Sequence, residues 1–586
     1  MSVVLNQITF HQAPDGLILN PVGGEGFAML QQPDFFWRPR PRAQIHGFAA
    51  SEHPEMNEKI EAHLALTRKH RSFKQAIEVK CAPVFLRDVW FKKSFVTTGG
   101  KCLVNGASGS RLLNHYCWKN ETQDFDPEQA LVDYFHHCQA ENAGKTAPLV
   151  ATALPSETAF AIECRNTFNY FHFISEALCQ LTLVAEAGVQ GPIYFHYPNS
   201  NDKTRLFAFA FIEALFPELA DRVIFERAPF HHAEVVLPYS FGPSYYHLPV
   251  TQSAELDAFA PSKTLWKGRV ATRASHGILA MNSVDSTLYA LRARGLQAIA
   301  GMDFSHLPRR FWVGREEGQA RPRHMKGENE IFDLLGLFGF QHVAFENLTP
   351  LGQIALMANA EVMISYHGAG FANMLFAAPE TYVIELGTLQ TATTRWGDFW
   401  RLANASQCHY VSFFADYNSK TPLADPVFAT DGIVPVHLSP SGLAQVMSFV
   451  VSLLGQPPAL TRVEDVRRVA AQLVQVGAPT QARMVIEQNP HAAESDLSTC
   501  LTLSECCEAL DDRTGQLAAL YSAYRIDPSR WQTLVSVIWC ARALSDLETV
   551  RAALDVFRDS FPEQFHNFSK DRPWIKAQLR SKARKA

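Results

Sequence analysis

The sequence predicts an α/β protein: two Rossmann-like lobes in tandem, preceded by a β-containing segment and followed by an all-α helical-repeat domain. Three observations predict it. From about residue 148, short apolar runs alternate with helical stretches; the alternation pauses over 245–305 and then resumes; after about 457 strand patterns vanish. Strands alternating with helices of this length imply parallel, doubly wound sheets, and 586 residues are enough for three or four units. The boundaries read as 1–147 for the N-terminal segment, 148–260 for the first lobe, 261–456 for the second lobe and 457–586 for the helical domain.

Within 1–147 the runs VFLRDVWF, SFVTTG and KCLVNG are strand-like, whereas FWRPRP reads as loop because prolines exclude a central strand. The first lobe follows as TAFAIEC (strand), NYFHFISEALCQLTLVAEAG (helix), PIYFHYP (strand), LFAFAFIEALF (helix) and VIFER (strand). In the second lobe RFWVGR, HVAFEN, EVMISY and TYVIELG are strands. Between them lie helices over ENEIFDLLGLFG, TPLGQIALMANA and FANMLFA, the second capped by Thr349 with Pro350 at its first position. The tail has three helical blocks closing at Pro490, Pro528 and Pro562, spaced by 38 and 34 residues. That is close to the tetratricopeptide period of about 34.

Composition narrows the function. A hydrophobic fraction of 47%, a charged fraction of 19% and a net charge of −5 describe a folded protein and argue against a general nucleic-acid binder. An anionic ligand must therefore be held by local groups. The N-terminus has neither the basic nor the apolar region of a secretory signal, and the longest apolar run, VMSFVVSLL, is far short of a membrane span. The 11 cysteines contain no CxxC pair, so neither a zinc site nor a disulfide framework is indicated. The sequons at Asn120, Asn347, Asn404 and Asn567 then read as chance matches in a cytoplasmic protein.

Three constellations carry chemistry. In SYHGAGFANMLF a strand delivers the chain to His367, at the sheet edge where α/β proteins bind ligands. Gly368, Ala369 and Gly370 allow close backbone approach, and the following helix turns its free amides to the same point, which suits a diphosphate. Small residues that only permit strand–helix packing explain the stretch equally well. Upstream, Arg315 closes a strand and Arg321, Arg323 and Lys326 follow, cations able to neutralise a diphosphate or simply to line a solvated loop. In the first lobe Asn169, His172 and Glu176 align on one helix face, so His172 and Glu176 can act together as a base and its orienting partner, or form a structural hydrogen bond. Glu385, ending TYVIEL, can bind ribose or cap a loop. Asp124 and Asp126 form a DxD triplet outside both lobes, and His136/His137 and His231/His232 lack partners at metal-ligand spacing.

Together these blocks resemble glycosyltransferase family 61. HGAGFANMLFAAPETYVIEL is similar to the family's HGAGLxNxxF block, with its proline and VIEL-like strand, and NYFHFISEALCQL is similar to NYYHWLxExLPRL. The order strand–Arg315, Lys326, Asn329–Glu330, HGAG also matches, with Lys326 where the family often has arginine. Departures are Phe371 for leucine and Leu-Cys-Gln for Leu-Pro-Arg, which puts a role for Gln180 in doubt. The resemblance covers about 160–390. It implies a two-lobed GT-B enzyme that inverts the anomeric centre, uses a nucleotide sugar and needs no obligatory cofactor or divalent metal. It further implies His172 and Glu176 as catalytic groups and Asn169 on the acceptor side. Donor binding falls to Arg315, Lys326, Asn329, Glu330, His367, Gly368, Ala369, Gly370, Asn373 and Glu385.

The expectation is a bacterial, cytoplasmic enzyme of surface-polysaccharide assembly, soluble or peripheral at the inner membrane. It would move a sugar, UDP-linked in the first instance, to a glycan acceptor. The helical tail would bind a carrier, a protein partner or a second copy. Two alternatives stand beside it: a protein-modifying transferase whose repeats hold a polypeptide, and a non-catalytic nucleotide-binding scaffold. A nicotinamide enzyme is disfavoured because no GxGxxG follows a strand.

Overall fold

The computed structural model describes residues 28–103, 155–240, 280–314 and 325–583, apart from 31–33, 36, 93–95, 99–100, 165–168, 199–204, 418–420 and 422. In chain order the strands are β1 (Ala28–Met29), β2 (Trp37–Arg40), β3 (Gln44–Ala49), β4 (Ala76–Val79), β5 (Cys81–Phe91), β6 (Val96–Thr98), β7 (Lys101–Leu103), β8 (Phe160–Glu163) and β9 (Ile193–Tyr197). They continue as β10 (Val223–Arg227), β11 (Phe230–Ser240), β12 (Ser283–Asp285), β13 (Arg310–Val313), β14 (Gln341–Val343), β15 (Val362–Tyr366), β16 (Tyr382–Thr388), β17 (His409–Tyr417) and β18 (Val436–His437).

The first sheet has the order β10-β9-β8-β11-β5-β6-β7, with β1 against β5. Strands β8 to β11 run parallel, and β5 joins β11 antiparallel. The second has the order β14-β13-β15-β16-β17, all parallel, extended by β3 parallel to β17 and by β18 antiparallel. Its central strand β15, VMISY, is buried throughout, as a parallel strand covered on both faces must be. Strands from the N-terminal segment thus enter both sheets: β5 to β7 widen the first, and β3 extends the second. Strand β11, which carries His231 and His232, escapes the sequence pattern because its exposed first half shows no apolar run.

FWRPRP is a correction. Trp37–Arg40 forms β2, at the edge of a small sheet of order β12-β4-β2, where Pro39 needs to supply no ladder hydrogen bond on the open side. Thr349 caps the helix Pro350–Ala358 by accepting from the Gly352 amide at 3.1 Å.

One core joins the two sheets, running from Phe160, Phe173 and Phe195 to Phe371, Phe376 and Trp400. A second core, on the other face of the second sheet, continues from Ile364, Leu386 and Val411 into the helical region through Val450, Val466 and Leu473. The last helices have a core of their own around Leu534, Val537, Leu554 and Phe557. The region after 457 is helical, and Pro479–Gln488, Arg513–Ile526 and Leu547–Ser560 stop just before Pro490, Pro528 and Pro562. A residue ahead of proline is pushed out of the helical conformation. Among the described residues no helix is long and apolar enough to cross a membrane.

His196 on β9 and His232 on β11 are buried with their Nε2 atoms 2.8 Å apart, packed by Phe91, Tyr194 and Phe230. Burial lowers the pKa of His196 to about 3 and of His232 to about 4, each helped by a neighbouring histidine. Below the ordinary histidine value of about 6.5 the unfolded chain binds protons that the folded pair refuses. Stability is therefore expected to be intact at neutral pH and to fall between pH 6.5 and about 4, by up to about 1.4 kcal/mol per pH unit for each histidine. Urea titrations across that window check this, and His232→Phe should flatten the decline.

Candidate functional site

The second sheet reverses direction between β13, whose chain next builds β14, and β15 on its other side. Ligands of open α/β sheets bind outside the carboxyl ends of strands at such a switch point. Three segments meet there: the end of β13, the His367–Gly370 turn after β15, and the stretch 389–401 after β16. Arg315, Arg321 and Arg323 fall outside the described residues, as do Asp124, Asp126, His136 and His137.

His367 is nearly buried, and its Nδ1 lies 2.5 Å from Glu385 Oε1. The other Glu385 oxygen accepts from the Tyr410 hydroxyl at 2.5 Å and from Ser412 Oγ at 3.1 Å. Burial, with the Glu385 charge beside it, pushes the Tyr410 hydroxyl well above its usual pKa, so it remains a donor. The parallel register places Ser365, Glu385 and Ser412 in one row across β15, β16 and β17. Glu385 is thus fully buried and both its oxygens are taken. The expectation that it binds ribose is corrected: it holds the imidazole of His367.

The glycine turn is equally informative. Gly368 is extended, with φ −172°, and a Cβ there would meet only the Tyr366 carbonyl at 3.6 Å. No left-handed conformation requires this glycine. Gly370 packs at 3.2 Å, measured from an ideal Cβ, on Phe345. Ala369 opens a short 3-10 helix, Ala369–Phe376, whose first amides have no intrahelical acceptor. Asn373, expected to bind donor, is fully buried: Tyr170 Oη lies 2.6 Å from its Oδ1 and 2.7 Å from Gln353 Oε1, and its Nδ2 donates to Gln353 Oε1 at 3.2 Å. It ties the helix after the glycine turn to Tyr170 and Gln353.

On the first-lobe side the helix predicted over NYFHFISEALCQL is broken into a turn Tyr170–His172, a π turn Phe173–Ala177 and a 3-10 segment Leu178–Leu183. Such irregular turns are frequent at functional sites. Asn169 is exposed and caps the turn, accepting from the His172 amide at 3.5 Å. His172 Nδ1 lies 3.0 Å from Glu176 Oε2, and Arg401 of the second lobe donates to Glu176 Oε1 at 3.1 Å and to Ser175 Oγ at 3.2 Å. Glu176 therefore lies at ion-pair distance from His172, without a hydrogen bond between those two atoms, and its other oxygen is fixed by Arg401. Phe399 stands between the two imidazole–carboxylate pairs, 5.1 Å from the His367 ring and 5.3 Å from Phe171, which packs edge-on against His172.

Lys326, Asn329 and Glu330 are exposed around the start of the helix Glu328–Leu337. Gly327 before it has φ +89°, and a Cβ there would lie 2.5 Å from the Leu438 carbonyl, so glycine is required. Sequence reasoning missed Arg401 and Phe399. They lie on the segment after β16, where no motif marks them and only the fold brings them to the site.

Residues 170–384 match the family model described as Glycosyltransferase 61. The match starts at Tyr170 and ends beside Glu385, so it takes in both histidines, and it supports a glycosyltransferase. No curated protein matches the chain. Among solved structures, one titled "Crystal structure of MamA" aligns with 12% identity over 25% of this chain and 90% of that chain. Its TM-score of 0.18 carries no argument.

Replacing Glu385 by alanine is expected to cost roughly 3 kcal/mol in urea denaturation, because buried hydroxyls of Tyr410 and Ser412 lose their acceptor. A ribose-binding Glu385 would leave stability unchanged.

Proposed function

We propose that this chain is an inverting glycosyltransferase of the GT-B kind, acting at the cleft between His172 and His367. The observation that carries the reading is the closeness of each imidazole to a carboxylate, one pair on the helical turns after β8 and one at the end of β15 and on β16, at the edges of the segment that matches the glycosyltransferase model. Each carboxylate lies against Nδ1, hydrogen-bonded in the case of His367, which leaves each Nε2 as the nitrogen available to a substrate.

In this reading His172 accepts the proton of an acceptor hydroxyl while Glu176 steadies the imidazolium that forms. The acceptor oxygen bonds to the anomeric carbon, and the carbon–oxygen bond to the diphosphate breaks from the opposite face. The nucleoside diphosphate leaves with that electron pair. His367, held by Glu385, and the amides from Gly368 to Gly370 would receive its charge, together with Arg315 and Lys326. The reading calls for no divalent metal. Asn169, exposed at the rim, would meet the acceptor. A UDP-linked donor, a glycan acceptor in bacterial surface-polysaccharide synthesis and a cytoplasmic setting belong to the same proposal, as does a tetratricopeptide-like role for the helical region in holding a carrier or partner.

The test is turnover and binding across a panel of nucleotide sugars and acceptor oligosaccharides. His172→Ala is expected to lower kcat about 100-fold or more while UDP affinity changes less than about threefold. Gly368→Ala should fold with unchanged stability, given its extended backbone and open space, but weaken UDP binding about tenfold because the new methyl blocks close approach. Nucleotide bound without transfer to any acceptor would favour a scaffold; full turnover in His172→Ala would move the base elsewhere.

A further inference from the structure

The charge of the chain is unevenly placed. Over all 586 residues it is −5, but the stretch from Lys570 to Ala586 carries seven lysines and arginines against one acid, Asp571. This stretch contains the helix Pro573–Ala583, which packs on the helical region through the fully buried Ile575. Beside it, on the helix Trp531–Ala543, the large side chain of Trp539 leaves 41% of its surface open. Arg542, also exposed, stands one turn further along the same helix.

The two features meet. The Trp539 ring lies 5.7 Å from that of Trp574 and 6.1 Å from that of Phe568. Two guanidiniums are interleaved with these rings. Arg542 Cζ lies 4.2 Å from the centre of Trp574 and 5.4 Å from that of Trp539, and Arg572 Cζ lies 4.5 Å from Phe568 and 5.9 Å from Trp539. Stacking uses the face of a guanidinium and leaves N–H donors at its edge for an oxyanion. One donor of Arg572 goes to the Phe568 carbonyl. No carboxylate among the described residues pairs with either arginine, or with the exposed Lys570 and Lys576. Elsewhere in the helical region arginines are answered: Arg467 by Asp496, Arg483 by Glu487 and Asp512, and Arg558 by Asp555 and Asp559. The unanswered cations thus gather within a few residues of one exposed aromatic cluster.

We propose that this end of the helical region docks on the surface of an anionic phospholipid bilayer, with Arg542, Arg572 and the neighbouring lysines at the headgroup phosphates and the Trp539 indole at the edge of the acyl layer. Charge complementarity favours a bilayer over an acidic polypeptide. A continuous plane of phosphates asks for excess cations spread along a stretch and for no fixed register, whereas a folded acidic partner asks for paired charges in a set outline. An indole, with an apolar body and one N–H, suits the boundary between headgroups and acyl chains, and arginine stems beside it reach outward to phosphate. The contact is peripheral, since no described helix is long and apolar enough to cross a membrane. It holds the chain at a membrane whatever reaction the two histidines carry out.

The experiment uses the full chain and co-sedimentation with vesicles of phosphatidylcholine alone and of phosphatidylcholine mixed with phosphatidylglycerol, at low and high salt. Wild type should bind the mixed vesicles, leave them as salt rises, and ignore phosphatidylcholine alone. Arg542→Gln and Lys576→Gln, both at exposed positions, should each weaken binding about fivefold, and about 25-fold together. Trp539→Ala should weaken it as well, with a circular-dichroism melt to show that the variant is folded. Arg467→Gln removes the same charge from an ion-paired site and should leave binding within about twofold. An equal loss from Arg467→Gln, equal binding to both kinds of vesicle, or no vesicle binding by wild type would overturn the proposal. Binding of polyglutamate with none to vesicles would overturn it too and assign the face to an acidic polypeptide.

Discussion

The candidate site exists because the segments beside the two sheets are held against each other by partly buried polar contacts inside an apolar seam. Tyr170 reaches across to Asn373 and Gln353, and Arg401 reaches back to Glu176 and Ser175. Each of these groups loses water on burial, and each recovers hydrogen bonds only if the opposite lobe is in register. The aromatic contacts around them, Phe171 on Phe399 and Phe399 on Phe371, add area without dictating geometry. Direction comes from the polar groups: a small shift of the first lobe would leave Tyr170, Glu176 and Arg401 with unsatisfied charges or donors. His172 lies against Glu176, so its placement relative to His367 inherits this seam.

A second constraint lies inside the second sheet. A glutamate in the middle of a buried parallel strand is costly unless its charge is fully met. Here Tyr410, Ser412 and His367 meet it, and His367 thereby acquires a fixed ring orientation at the strand end. The same economy appears in the first lobe, where Glu176 serves His172 and Arg401 together. Each imidazole has its Nδ1 against a carboxylate that is itself restrained, within a hydrogen bond for His367 and at ion-pair distance for His172. This is the arrangement expected of groups that must keep one nitrogen for a substrate.

The N-terminal strands bind the molecule together more than their position in the chain suggests. Strand β3 extends the second sheet, while β5, a few dozen residues later, pairs with β11 in the first. The helical region is likewise anchored, since its first helices share a core with the outer face of the second sheet. Only the last helices pack around a core of their own.

Local patterns in the sequence were sufficient to determine the alternating strands and helices around both sheets, the Thr349 cap and the proline-terminated helices of the tail. Those features depend on neighbours within a few residues, which is what periodicity, caps and glycine turns report. The tertiary structure alone shows that Glu385 and Asn373 are fully buried and bonded to distant residues, because burial and long-range partners have no local signature. It decided too that Trp37–Arg40 is an edge strand, since only the sheet order reveals an edge. Arg401 and Phe399 became visible in the same way: they follow a strand with no motif of their own, and the fold of the second lobe carries them between two histidines that lie 195 positions apart in the chain.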